Sequence, residues 1–143
     1  NVETITGMIL ESGIFGMVLW LVAGIWSKGF LTSGVDASSG ISSAWVTYLG
    51  AGIYEEAIFR LLGIHLLLLL FPGNIFPSLP FAFFVSSIGF AISHHLGIYG
   101  EVFQFDIFVF RALAGLYFCT VYMFRGFGIA VGAHVIYDFI VSV

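Results

Sequence analysis

Residues 54–60 read Tyr-Glu-Glu-Ala-Ile-Phe-Arg, and no other part of the chain brings charges so close together. The stretch around them, 41–71, consists mostly of Ile, Leu, Ala, Gly and aromatic residues. An ionised side chain at the centre of a membrane helix costs roughly 2.5–3.5 kcal/mol on insertion scales. A sequence retains such a cost where the charge has a role, so Glu55, Glu56 and Arg60 are the first candidates for a functional site.

The composition predicts an integral membrane protein. Of the 143 residues, 60% are hydrophobic, 18% are aromatic and only 8% are charged, whereas a soluble domain carries about 25% charged residues. So few charges cannot cover a water-exposed surface. The length suits a single helical domain, 1–143, rather than two domains. Because the chain begins with Asn1 and not with Met, we expect a trimmed domain or a fragment.

The charge balance and the single cysteine exclude several classes of protein. The net charge is −4, and the four Lys and Arg residues form no cluster. This argues against a nucleic-acid partner and against a polybasic lipid-binding patch. Cys119 alone can form neither an internal disulfide nor a paired-cysteine metal site. Since it lies in an apolar run, we expect it to pack as a small hydrophobic residue.

The hydropathy pattern predicts an all-α, polytopic transmembrane helix bundle with about five membrane segments, because a spanning helix needs about 20 apolar residues. The segments are 8–26, 41–71, 79–95, 102–124 and 127–143. The second would measure roughly 46 Å against about 30 Å of hydrocarbon. We therefore expect the part before Gly50 to lie at the interface, or the helix to bend near Gly50 and Gly52.

Polar or turn-forming residues predict the connections between these segments. The longest is 28–43, where Ser38-Ser39-Gly40 marks a helix start; the others are Pro72-Gly73-Asn74, 97–100 and a very tight turn at Arg125-Gly126.

The spacing of the charged residues in 54–60 indicates different roles for Glu55 and Glu56. Glu56 and Arg60 are four residues apart, so they share a helix face and can pair. Glu55 is rotated by about 100° from Glu56, which leaves it available to accept a proton. The alternative is that all three charges only bind neighbouring helices.

Further polar residues occur at membrane depth in other segments. Ser93-His94-His95 lies near the end of the third segment, and His134 and Asp138 share one face of the fifth. Ionisable groups within a membrane usually face a bundle interior or a water cavity, so segments two, three and five are predicted to form a polar cavity. We interpret His65, by contrast, as a hydrogen-bonded packing residue.

Residue counting tests whether these groups share one depth. Glu55 and His94 would each lie roughly 22–24 Å from the same membrane face. His134 would lie only roughly 10 Å from it. The three depths agree if the 125–128 turn lies below the membrane surface or if the helices tilt strongly.

Such a set of residues supports the attack of water on a carbonyl. Glu55 is a plausible general base if poor solvation raises its proton affinity. One histidine can orient the water, and a second with a polar neighbour can stabilise the oxyanion.

Ionised Glu55, Glu56 and Asp138 would carry three negative charges. Arg60 offsets one of them, which leaves two uncompensated. One carboxyl is therefore protonated, a histidine is charged, or a divalent metal such as zinc is bound. No HExxH motif supports a metal, so no cofactor is expected. If a metal is present, its ligands would be Glu55, His94, His134 and Asp138.

Three short patterns occur in order on successive hydrophobic segments. Residues 55–60 match an EExxxR box, 90–94 an FxxxH box and 134–138 an HxxxN/D box. The set, which covers about 50–143, resembles the CPBP family. That family includes the CAAX prenyl endopeptidases of the Rce1 type and bacterial bacteriocin-processing or abortive-infection membrane proteins.

The resemblance implies an intramembrane endopeptidase with a protease-like core at 50–143. Its catalytic residues would be Glu55, Glu56, Arg60, His94, His134 and Asp138. His94 would activate water together with Glu55, and Arg60 would hold Glu56. His134 and Asp138 would support the oxyanion. The eukaryotic enzymes have Asn where this chain has Asp138. An ionised Asp138 would repel an oxyanion, so it must be protonated, act through His134 or bind a metal.

The remaining assignments stay open. Asp106 and Arg111 match no box and are either a structural pair or substrate-channel groups. The family suggests a peptide or protein substrate: a lipidated C-terminal tail, a bacteriocin leader or a sorting tag. The small size favours a prokaryotic enzyme of the cytoplasmic (inner) membrane with a non-CaaX substrate. The rival functions are a non-enzymatic membrane binding or immunity protein and a proton or cation pathway.

Overall fold

The structure is a computed structural model that describes residues 2–26, 41–71, 78–96 and 101–142, with side chains from 45 onward in the second range. All regular structure in these ranges is helical, which confirms the predicted all-α class for the described residues. The helices are α1 (Val2–Trp26), α2 (Ile41–Glu56), a π-helix (Ala57–Ile64), α3 (His65–Leu70), α4 (Ser78–Ser93), α5 (Phe105–Arg125) and α6 (Phe127–Ser142). The predicted connections at 72–74 and 97–100 lie outside the described residues, as does the predicted 28–43 connection up to residue 40. Its end was predicted too late, because α2 begins at Ile41.

Among the described helices, two are long and apolar enough to cross a membrane. They are α1, with 25 residues, and α5, with 21 residues. Two further apolar helices, α4 and α6, are shorter. These lengths are consistent with an integral membrane protein, while the count of five membrane segments stays a prediction.

The second predicted segment contains a π-helix that the sequence did not reveal. Helical geometry runs from Ile41 to Leu70, and it passes through Gly50 and Gly52 without a break. The irregular part comes later, as the eight-residue π-helix Ala57–Ile64. It begins directly after Glu56, so the candidate carboxylates lie where the hydrogen-bonding pattern changes.

The described helices form two compact units, and the first contains Asn1–Tyr54 and Arg125–Val143. In this unit small residues bring α1 and α6 together. A Cβ on Gly16 would lie 3.0 Å from the carbonyl oxygen of Ala133, and one on Gly132 would lie 2.7 Å from Cβ of Ser12. Such close approach of small residues is typical of helix packing in membranes.

The junction of α5 and α6 is the tight turn that the sequence predicts. Arg125 ends α5, Phe127 begins α6, and Gly126 between them has a φ of +87°. Glycine adopts this left-handed conformation at no steric cost. Arg125 also forms a two-pronged ion pair with Glu11 of α1, in which Nη2 lies 2.7 Å from Oε2.

The second unit contains Glu55–Phe124. Its core cluster consists of Ile64, Ala82 and Cys119, one each from the π-helix, α4 and α5. Cys119 is fully buried, which confirms its predicted packing role. A Cβ on Gly115 would lie 3.0 Å from Cα of Ser87, so α4 and α5 approach closely.

Candidate active site

Glu56 and Arg60 form a buried ion pair. Their side chains are separated by 3.1 Å, and both are 0% exposed, which confirms the pairing predicted from their spacing. Arg60 also donates from Nη2 to the carbonyl oxygen of Gly115 at 3.2 Å. The pair thereby fixes the start of the π-helix against α5.

Aromatic rings surround the Arg60 guanidinium. Its central carbon lies 4.4 Å from the ring centroid of Phe90 and 5.4 Å from that of Phe118. Nε of Arg60 has no hydrogen-bond partner within the described ranges, and the ring faces offer it a cation–π environment instead. Breaking such a buried pair costs about 3–5 kcal/mol because the remaining charge is stranded.

Glu55 and His94 face each other within the second unit. Oε2 of Glu55 lies 3.9 Å from Nε2 of His94, and the side chains are 23% and 25% exposed. This distance is too long for a direct hydrogen bond but can be spanned by one bridging water. The proximity agrees with the equal depth that residue counting predicts for the two residues.

A backbone contact fixes the proton on the His94 ring. Nδ1 of His94 lies 2.9 Å from the carbonyl oxygen of Phe90. A carbonyl only accepts, so Nδ1 donates, and the neutral ring presents an unprotonated Nε2 towards Glu55. An ionised Glu55 and this Nε2 are two hydrogen-bond acceptors, and one water can donate to each.

Phe90 contacts several candidate residues, whereas the sequence pointed to it only as the first position of the FxxxH box. Its ring contacts the His94 ring at 4.9 Å and the Phe59 ring at 5.6 Å, besides the Arg60 guanidinium. One side chain therefore packs on both the buried ion pair and the partly exposed His94.

His134 and Asp138 form the polar pair of the first unit. Nε2 of His134 lies 3.6 Å from Oδ2 of Asp138; His134 is buried and Asp138 is a quarter exposed. Their four-residue spacing on α6 places them on one face, as predicted. The convergence of this pair with Glu55 and His94 in one cavity stays a prediction.

Residues 37–140 match a known protein family. The model described as type II CAAX prenyl endopeptidase Rce1-like matches residues 37–140. The chain belongs to this family. The match includes all three boxes and leaves α1 outside. No curated protein and no solved structure matches the chain.

Membership in the Rce1-like family implies a membrane endopeptidase that acts on a peptide or protein. The apolar helices α1 and α5 agree with a location in the membrane.

The remaining candidates of this Rce1-like chain have structural partners. His65 donates from Nδ1 to the carbonyl oxygen of Leu61 at 2.6 Å and lies edge-on to the Tyr122 ring, which confirms a hydrogen-bonded packing role. Asp106 is exposed in the first turn of α5. Arg111 pairs with Glu101 at 2.7 Å, a partner that the sequence did not suggest.

Glu101 also contacts the end of α4. Its backbone N–H donates to the carbonyl oxygen of His94 at 3.0 Å. The hydrogen bond from Arg111 lowers the pKa of Glu101 below its ordinary value of 4.5, against the opposing effect of partial burial.

The described residues of each unit contain no preformed cluster of metal ligands. Within neither unit do the described residues bring together three or more His, Cys, Asp or Glu side chains suited to a metal ion.

Proposed function

We propose that the chain is an intramembrane endopeptidase in which Glu55 and His94 activate a water molecule for attack on a peptide carbonyl. The observation that carries this proposal is the 3.9 Å separation of two partly exposed acceptor groups, Oε2 of Glu55 and Nε2 of His94. One water that donates to both is held in a defined orientation, with a lone pair left for the substrate.

The reaction then follows from the positions of the protons. As the water oxygen bonds to the carbonyl carbon, Glu55 takes one water proton and the carbonyl electrons move to its oxygen. The proton passes to the leaving nitrogen, the oxyanion re-forms the carbonyl, and the carbon–nitrogen bond breaks. His94 orients the water throughout.

The buried pair keeps the two glutamates in different roles. Arg60 lies 3.1 Å from Glu56, and it balances that charge in surroundings where an unpaired carboxylate is costly. Glu55 can then act as the base without competition from an equivalent neighbour.

We assign His134 and Asp138 to oxyanion support. The ring of His134 is buried, and Asp138 lies 3.6 Å from it on the same helix. An ionised carboxylate would repel an oxyanion directly, so we propose that Asp138 acts through His134 by stabilising its protonated ring, whose other N–H can then donate to the oxyanion.

The substrate assignment follows the chemistry of the family. We propose a peptide with its cleavage site near a C-terminal tail, a leader or a sorting tag, processed in a prokaryotic cytoplasmic membrane, with bacteriocin leaders as one class. In a metal-dependent version of the mechanism, Glu55, His94, His134 and Asp138 would hold a divalent ion.

The first test uses the purified protein in lipid vesicles with two fluorogenic peptides. One carries a farnesylated cysteine four residues from its C-terminus, and the other is an unlipidated leader-type peptide. Glu55→Gln and His94→Gln should each lower cleavage by about 10²–10⁴-fold, while Glu3→Gln on the exposed start of α1 should not. Activity that survives either active-site change removes that residue from the mechanism.

The same preparation distinguishes the proposed mechanism from a metal-dependent one and from the alternative functions. Metal analysis with a chelator distinguishes the two chemistries, because the glutamate mechanism survives chelation. A proton pathway predicts pH-dependent flux without a cleaved product. A binding or immunity protein predicts biological function that survives Glu55→Gln.

A further inference from the structure

We propose that Gly63, Ser86 and His65 are positioning residues that set the orientation of Glu55 and Glu56 by maintaining the π-helix Ala57–Ile64. The importance of this orientation for catalysis rests on the proposed function, whereas the orientation itself can be measured separately. None of the three residues belongs to the EExxxR, FxxxH or HxxxN/D boxes.

The π-helix determines which way the preceding helix faces. Its hydrogen bonds span five residues instead of the four of an α-helix, so it accommodates one extra residue. One residue corresponds to about 100° of rotation in an α-helix. Reversion of Ala57–Ile64 to α-helical geometry would therefore turn Glu55 and Glu56 towards a different neighbour.

A π-helix of eight residues requires support, since most occur as single turns inside α-helices. Gly63 gives the first support. A Cβ at this position would lie 2.9 Å from the carbonyl oxygen of Ile58. That carbonyl belongs to the residue five positions earlier, the separation that defines π-helical bonding. Glycine is the residue that leaves room for it.

Two side chains supply hydrogen bonds to carbonyl groups of the π-helix. Ser86, which is 5% exposed on α4, donates to the carbonyl oxygen of Phe59 at 2.7 Å. His65, which directly follows the π-helix, donates to the carbonyl oxygen of Leu61 at 2.6 Å. A change in hydrogen-bond offset alters which backbone carbonyls have partners in the helix. Ser86 and His65 each supply a side-chain donor within this segment.

The Ser86 hydrogen bond also links the helices that carry the proposed acid–base pair. Phe59 lies four residues after Glu55, and Ser86 lies on α4, which leads into His94. The bond from Ser86 to Phe59 therefore fixes the two helices to each other one turn from Glu55. Ser86 lies eight residues before His94 on the way along α4, so we expect its effect on catalysis to act through this placement.

The kinetic test compares matched serines and glycines. Ser86→Ala and Gly63→Ala should each lower kcat by about tenfold or more while KM changes less than about twofold. Ser87→Ala is the control, because the Ser87 hydroxyl donates to Phe83 of its own helix and lies 3.7 Å from the Cys119 sulfur of α5, so these bonds join α4 and α5. Gly50→Ala is the glycine control, since a Cβ there meets nothing within 4 Å.

Conservative variants separate positioning from general stability. Ser86→Thr retains the hydroxyl and should restore kcat. His65→Phe retains an aromatic ring near Tyr122 but removes the donor, and it should lower kcat as Ser86→Ala does. The proposal is overturned if Ser86→Ala retains the wild-type kcat, or if Ser87→Ala loses as much kcat as Ser86→Ala does. This comparison does not depend on whether Gly63→Ala folds.

A cross-linking measurement tests the orientation without any hydrolysis. Glu55→Cys and His94→Cys are combined in a Cys119→Ala background, and a short bifunctional thiosulfonate links the two thiols. Adding Ser86→Ala should slow linking, and adding Ser87→Ala should not. If the wild type cleaves neither peptide, the proposed function fails. The cross-linking rate between positions 55 and 94 still tests whether Ser86 sets the orientation of residue 55. Equal linking rates in both variants overturn the positioning role.

Discussion

Nδ1 of His94 donates a hydrogen bond to the carbonyl oxygen of Phe90, four residues earlier, at 2.9 Å. The four-residue spacing also brings the Phe90 ring against the imidazole, with ring centroids 4.9 Å apart. The helical carbonyl fixes the tautomer, the Phe90 ring packs on the imidazole, and Nε2 is left as an acceptor facing Glu55. The same ring lies 4.4 Å from the Arg60 guanidinium, so the placement of the histidine and that of the ion pair depend on one side chain.

Phe90→Leu tests this shared dependence. Leucine keeps the carbonyl and the apolar surface but removes the ring faces next to Arg60 and His94. The loss of a desolvated cation–π contact should lower stability by about 2 kcal/mol. We expect kcat to fall about tenfold, since a loosened imidazole orients water less well. Phe84→Leu, at a position 63% exposed on the same helix, should retain wild-type kinetics and melting temperature.

Glu56 and Arg60 should show strong coupling in a double-mutant cycle. Glu56→Gln or Arg60→Met leaves one fully buried charge without its partner, and each should lower the free energy of unfolding by about 3–5 kcal/mol. The double variant should be less destabilised than the sum of the two, because no charge remains stranded. Denaturant unfolding in detergent measures the cycle. Additive losses would show that the 3.1 Å contact contributes no pairwise energy.

The Glu101–Arg111 pair should make stability depend on pH in the acidic range. The pKa of Glu101 is lowered in the folded state below its ordinary value of 4.5. Its stabilisation is therefore fully present above that value and is lost as the pH falls through the lowered pKa. Because Glu101 is about half exposed, we expect at most about 0.5 kcal/mol.

Arg111→Gln provides the measurement for this pair. The stability difference between wild type and variant should shrink between about pH 6 and about pH 3. A difference that is constant across this range would exclude Glu101 as its source. Asp106→Asn, at an exposed position in the same first part of α5, serves as the control for charge removal.

The contacts that could be predicted from the sequence join residues that lie close together in the chain. The contacts of Glu56 with Arg60 and of His134 with Asp138 were predictable, because four-residue spacing fixes a shared helix face. The turn at Gly126 was predictable from the short link between two apolar runs.

The features that escaped prediction depend on distant residues. Ala57–Ile64 reads as an ordinary amphipathic helix, and its π geometry is accompanied by a hydrogen bond from Ser86, 27 residues away in the chain. The partner of Arg111 is Glu101, which lies ten residues earlier and before the start of α5, where no helical periodicity links the two positions. Local spacing carries no information about either contact.

The last prediction concerns α1, which lies outside the family match but contacts the helix that carries His134. A side chain on Gly16 would meet the carbonyl oxygen of Ala133 at 3.0 Å, next to His134 in the chain. Gly16→Leu should therefore displace α6 and lower cleavage by about 10²-fold, since small misplacements of catalytic groups have large effects. Gly13→Leu is the matched control, because a Cβ at Gly13 of the same helix meets nothing within 4 Å. The two variants have equal hydrophobicity, so cleavage rates compared at equal membrane insertion isolate the contact with α6. Equal rates in both would mean that α1 anchors the protein without shaping the candidate site.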